Sequence, residues 1–116
     1  MDFGYAIQSY ADGQISISGK RFTQSLIITP ERVITDWRPT DFSCLLPEDF
    51  TPLVELGPEL VILGTGSTQQ FPHPSLTQGL MQQSIGLEAM DTAAACRTYN
   101  ILMAEGRKVV AALFML

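Results

Sequence analysis

"MDTAAACRTYNILMAEGRKVVAALF", residues 90–114, decides the fold class. Asp91 and Thr92 are short polar residues that suit a helix cap, where a side-chain oxygen accepts an otherwise orphaned backbone N–H. Beyond them Ala95, Cys96, Tyr99, Leu102 and Met103 recur at three- and four-residue spacings, which places them on one helical face. The tyrosine and methionine of this stripe read as core packing. Gly106 stops the helix, since glycine adopts a left-handed terminal turn at little steric cost. The apolar run from Val109 predicts a strand over 109–115. A helix over 92–105 followed at once by a strand is half of a strand–helix–strand unit.

Working outward, Leu60-Val61-Ile62-Leu63 is continuously apolar, as in a strand covered on both faces. A helix over about 75–84 follows Pro74 and is expected to end at Gly86, and a short strand is predicted over 87–90. The alternation over about 59–115 is βαβαβ, which implies parallel strands joined by right-handed crossovers. Ahead of it, Pro47-Glu48-Asp49-Phe50 opens a short helix to about Leu56. Its proline sits in the first turn and its acids lie at the positive end of the dipole. The N-terminal part reads as β structure. Gln14-Ile15-Ser16-Ile17-Ser18 alternates polar and apolar residues between turn signals at Asp12-Gly13 and Gly19-Lys20. Strands are also predicted over 22–29 and 33–37. Their connections are too short for crossovers, so they form an antiparallel meander over about 13–37. The loop 38–46 is polar and is expected to cover part of the sheet. Trp37 reads equally as a core anchor or an exposed contact. The fold class is α/β, in one domain over 1–116, a length that supports one core.

Composition narrows function. The net charge is −5, and the few lysines and arginines are scattered. A nucleic-acid backbone demands clustered basic residues, so nucleic-acid binding is not expected. No apolar run approaches the roughly 18 residues of a membrane helix, so stable membrane insertion is not expected either. The start carries no basic segment followed by an apolar one, which favours the cytoplasm. Charged residues are only 16% of the chain, against about 25% in a typical domain. That points to a covered surface, through a protein partner or self-association, with a merely apolar surface as the alternative. The apolar segment 111–116 is a candidate extension of such an interface. Cys44 and Cys96 lack metal-ligand spacing, and with one histidine they fall short of the about four ligands of a zinc site. Both are expected to be buried. No metal or cofactor is expected.

The place for chemistry is the loop after the first parallel strand, "LVILGTGSTQQFPHP", residues 60–74. Gly64-Thr65-Gly66-Ser67 and Asp91-Thr92 both follow strand ends and precede helices, whose first N–H groups attract anions. They form a candidate pocket for a small anion, with Arg97 able to reach its rim. The dinucleotide fingerprint fails because Gln69 stands at the third glycine and the helix is delayed beyond Pro74. The P-loop fails for want of lysine. A hydrolytic triad of Ser67, His73 and Asp91 is weak, because His73 lies between two prolines and GxSxG is absent. The alternative is a structural turn, in which the glycines turn the backbone and Thr65 and Ser67 satisfy local groups. Asp91 likewise reads as a helix cap or as a carboxylate facing the crevice.

Together, "KRFTQSLIIT" after Gly19, the tryptophan after "VIT", "PEDF", "LVILGTG" and above all "EAMDTAAACRTYNILMAEGRKVVAALF" resemble a small-domain family of largely unknown biochemistry. Its members include mitochondrial respiratory complex I assembly factor three, a human adipogenesis-associated protein, and short bacterial and archaeal chains. The likeness runs from about Gly13 to Phe114, and residues 90–107 are its most specific part. It implies a three-layer α/β fold with a central mixed sheet and no established activity or cofactor. It also implies a scaffold or assembly-helper role. The matching positions Gly64, Thr65, Gly66, Asp91, Thr92, Arg97, Asn100, Glu105 and Arg107 are a candidate surface. A non-enzymatic interaction or assembly protein is the first expectation, and a small-ligand or anion-binding protein, with an enzyme as one form of it, is the second.

Overall fold

The computed structural model describes residues 4–116. Its strands are β1 (Ile7–Ala11), β2 (Gln14–Ile17), β3 (Lys20–Phe22), β4 (Leu26–Ile28), β5 (Val33–Ile34), β6 (Leu60–Gly64), β7 (Gly86–Met90) and β8 (Val109–Leu113). Its α-helices are α1 (Thr51–Glu55), α2 (Gln78–Gln82) and α3 (Thr92–Ala104). The main sheet has the order β5-β4-β8-β6-β7, and β1-β2-β3 form a separate antiparallel sheet. β6 runs parallel to both β7 and β8, whereas β4 is antiparallel to β8 and β5. The expected mixed sheet, N-terminal meander and parallel C-terminal strands are all present.

Residue alternation along the strands builds the layers. Val61, Leu63, Val110, Ala112 and Phe114 face one way and join Leu53 of α1, Leu80 of α2 and Trp37 in one core. Ile62, Val109, Ala111 and Leu113 face the other way and meet Ala95, Cys96, Tyr99 and Met103 of α3. The small sheet contributes Ile7, Ile15 and Ile17 to this second core. The apolar stripe read from the sequence is therefore the inner face of α3. Ala111 and Ala112 at the sheet centre keep both covering layers close, because small side chains permit close approach between packed layers.

The meander differs in its membership. The expected strand over 22–29 breaks at residues 23–25, where the buried Ser25 hydroxyl donates to the Pro39 carbonyl. β3 then closes the small sheet and β4 enters the main one. At the β2–β3 turn, Ser18 (φ 52°) and Gly19 (φ 78°) are both left-handed, the combination of a tight two-residue hairpin. β1 is not legible in the sequence because it has no clean alternation and only Ile7 of its five residues is buried. Tertiary contacts hold it: the Asn100 side chain on α3 accepts from Ile7 N–H and donates to Ile7 C=O, both at 2.8 Å.

Other expectations need correction. Gly86 opens β7 and does not end α2; the left-handed residue there is Ser84 (φ 57°). Cys44 is exposed, while Cys96 is buried. The apolar segment 111–116 is no surface extension, since its first four residues are buried and Met115 and Leu116 half-buried. The loop 38–46 is pinned through Asp49. The Asp49 carboxylate receives Arg38 Nε at 2.8 Å, Arg38 Nη2 at 2.6 Å and Leu46 N–H at 2.8 Å. Its carbonyl receives Trp37 Nε1 at 2.9 Å, and the Trp37 ring stacks on Phe114 at 5.1 Å. Trp37 is thus a core anchor.

The Arg38 guanidinium holds the Asp49 carboxyl below the ordinary carboxylate range, aided by the Leu46 N–H and opposed by burial. A carboxylate with a lowered folded-state pKa stabilises the fold above the ordinary value of about 3.9, and the contribution is lost as pH falls through the folded value. Urea titrations of the wild type and Asp49→Asn should therefore show a stability gap at neutral pH that narrows as the pH falls below about 4. A gap that stays constant across that range would exclude the ion pair as its source.

Candidate functional site

The chain leaves β6 for α2 on one face of the sheet and leaves β7 for α3 on the other. β6 and β7 are neighbours, so their departing loops separate at the carboxyl ends of the strands, where ligand crevices form in parallel sheets. Residues 64–67 and 91–92 meet there. Thr65 N–H donates to the Met90 carbonyl and Thr92 N–H to the Gly66 carbonyl, both at 2.9 Å.

The polar groups at this junction bond to one another. Gly66 N–H donates to Thr92 Oγ1 at 2.8 Å, and Thr92 Oγ1 donates to the Phe114 carbonyl at 2.6 Å. Phe114 N–H in turn donates to the Gly64 carbonyl at 2.9 Å. Thr65 Oγ1 contacts the Thr68 and Met90 carbonyls at 2.7 and 3.1 Å and accepts Gln70 N–H at 3.1 Å. Thr65 and Thr92 are buried. Asp91 caps α3 by accepting Ala94 N–H at 2.9 Å. A Cβ built on Gly64 would lie 2.8 Å from Leu113 Cδ2, 3.0 Å from Thr92 Oγ1 and 3.1 Å from Ala95 Cβ. The glycine thus lets strand and helix approach closely. Gly66, at φ 101°, needs the left-handed region.

The remaining sequence candidates lie apart from this cluster of bonds. Ser67 is exposed. Arg97 donates from Nη1 to the Tyr10 hydroxyl at 2.7 Å, which ties α3 to β1. His73 accepts Ser75 N–H at 3.1 Å and so caps the turn that begins at Pro74. Arg107 pairs with Glu59, and Glu105 ends α3. Burial pushes the Cys96 thiol up to about 12, outweighing the opposing pull of Arg97, which keeps it protonated and unreactive at neutral pH. Among the described residues no group of His, Cys, Asp and Glu is arranged to hold a metal ion.

A different surface emerges beside β7. Phe71 is 73% exposed and Met81 67% exposed. With Pro72, Pro74 and Leu87 they border an open groove of about 510 Å³. β7 is an outer strand of the sheet. Sequence periodicity gave no signal for this groove, because Phe71 lies in a loop and Met81 in a helix only five residues long.

The fold is an α/β sandwich whose strand-end junction is built by backbone and threonine hydroxyls. Residues 7–114 match a family described as a protein of unknown function (DUF498/DUF598), and the chain belongs to it. It is 34% identical over 109 residues to NADH dehydrogenase [ubiquinone] 1 alpha subcomplex assembly factor 3 of Mus musculus, with 92% of the chain covered. The match spans only 58% of the mouse protein. A crystal structure of a Bordetella parapertussis protein superimposes with a TM-score of 0.91 at 37% identity, covering 97% of this chain and 96% of that one. A crystal structure described as an outer membrane protein from Bartonella henselae gives 0.81 at 28% identity, covering 97% and 95%. Among the described residues no helix is long and apolar enough to cross a membrane.

The junction makes a direct prediction. Thr92→Val keeps the shape but strands Gly66 N–H and the Phe114 carbonyl in a buried setting. It should cost about 1–3 kcal/mol, the usual penalty for an unsatisfied buried polar group, while Thr92→Ser should retain most of the stability. Denaturant midpoints of the two variants measure the difference, and equal losses would show that the hydroxyl is dispensable.

Proposed function

We propose that this chain is a non-enzymatic assembly helper that works in the cytoplasm and receives a protein partner on the Phe71–Met81 groove beside β7. The observation that carries the reading is the exposure of two large apolar side chains next to an outer strand. Exposed apolar patches of this kind mark interaction sites on soluble proteins. The likeness to the mouse protein, named as an assembly factor, supports the same direction. The hydrogen bonds that engage Thr65, Gly66 and Thr92 with one another also support it, since they leave the crevice occupied by the chain's own groups. Phe71→Asp combined with Met81→Asp should leave thermal stability close to the wild type, because substitutions at exposed positions usually change stability by less than about 0.5 kcal/mol. The same pair should abolish cross-linking of a partner to a photoreactive residue at Pro72. Undiminished cross-linking by the double variant would remove the groove from the proposal.

The second reading is a small anion held by Gly64, Thr65, Gly66 and Ser67 against Asp91 and Thr92, with Arg97 outside the cluster. Its support is the position at the strand carboxyl ends, before the first turn of α3. A thermal-shift series with phosphate, nucleotides and small carboxylates distinguishes it, because a ligand bound only by the folded state raises the melting temperature by mass action. A rise that Ser67→Ala or Thr65→Val suppresses would favour this reading, and no rise with any of the compounds would end it.

A further inference from the structure

At the other end of α3, about 20 Å from Thr92 given a rise of 1.5 Å per residue, lies a cavity of about 340 Å³. It lies beside the start of β8 and the turn that follows β4, away from both the strand-end junction and the β7 groove. Its apolar walls include Leu56, Met103 and Val110, and Arg32, Arg107 and Lys108 border it. Arg32 also borders a second cavity with Lys20. That cavity shares Phe22 and Thr35 with a third, bordered by Arg21. Five of the chain's seven lysines and arginines thus gather on adjoining hollows of an otherwise acidic protein.

Not all of this charge is committed within the chain. Arg107 is held by Glu59, but among the described residues neither Arg32 nor Lys108 has a carboxylate within ion-pair distance. Lys108 extends over Gly57, with Nζ 3.9 Å from where a Cβ on that glycine would sit. The Thr29 hydroxyl accepts the N–H groups of Glu31 and Arg32 at 3.0 and 2.9 Å. The segment that carries Arg32 is therefore fixed before any ligand arrives. Glu31 also borders the cavity, which disfavours a polyanion and suits a ligand with a single negative charge. The volume falls within the range of small-molecule pockets, about 300–1,000 Å³, which combine apolar walls with a few orienting polar groups.

We propose that the cavity between Arg32 and Lys108 binds a carboxylate carried on an aliphatic body, its charge at the two cations and its carbon chain against Leu56, Met103 and Val110. Both a free aliphatic acid and the carboxyl terminus of a peptide ending in an aliphatic residue present this chemistry.

Amide NMR spectra of the full chain, titrated with sodium hexanoate, provide the test. Hexanoate should shift the amides of Thr29, Glu31 and Arg32 and of residues 106–110 in a saturable manner. Acetate and inorganic phosphate, which lack the body, and hexylammonium, which reverses the charge, should not. R32Q combined with K108Q should weaken hexanoate binding by at least about tenfold, the factor that corresponds to ~1.4 kcal/mol, without lowering the melting temperature. A short peptide ending in leucine, compared with its amidated form, separates the two sources. Tighter binding of the free-carboxyl peptide than of hexanoate assigns the site to a peptide terminus, and the reverse assigns it to a small acid. The proposal is overturned if neither ligand shifts these amides at millimolar concentration, if acetate or phosphate matches hexanoate, or if R32Q/K108Q binds as the wild type does.

Discussion

Strand β8 has no face for water. Val109, Ala111 and Leu113 are buried toward α3, and Val110, Ala112 and Phe114 toward the opposite layer. A strand apolar on both faces needs a covering layer on each side and a hydrogen-bonded neighbour along each edge. β6 and β4 provide the neighbours, one parallel and one antiparallel. α3 with the small sheet covers one face, and α1, α2 and the segment through Trp37 cover the other. The mixed sheet and its three layers follow from satisfying this one strand.

The same strand governs the strand-end junction. The Phe114 carbonyl and N–H, just past β8, receive Thr92 Oγ1 and reach the Gly64 carbonyl. A glycine at 64 is required because α3 crosses there at the distance of one methyl group. The "GTG" tract resembles a phosphate loop because both demand a tight departure from a strand and close backbone approach. Here the partner approached is the Thr92 hydroxyl.

Much of this architecture was legible from residue patterns. The stripe from Ala95 to Met103, the cap at Asp91 and the run at Leu60–Leu63 gave α3, its start and the buried parallel strand, because each depends on local spacing. The division of the expected 22–29 strand was not legible. It depends on Ser25 finding the Pro39 carbonyl across fourteen residues. β1 was not legible either, since only Ile7 of its residues is buried and that residue's backbone is engaged by Asn100, 93 residues away. Asp49 reads locally as a dipole-favoured acid in a first helical turn, and its pairing with Arg38 depends on how the loop 38–46 folds back.

The sequence by itself determined the α/β class, the inner face of α3, the parallel strands and membership in a family whose motif lies mainly in residues 90–107. Those features rest on periodicity and capping, which act within a few residues. Only the tertiary structure decided which strands share a sheet, that Thr65, Gly66 and Thr92 bond to one another, and that the exposed apolar groove lies beside β7. It also decided that scattered basic residues converge on adjoining hollows. Strand order, hydrogen-bond partners and charge clustering are set by contacts between distant residues, and spacing along the chain does not encode those distances.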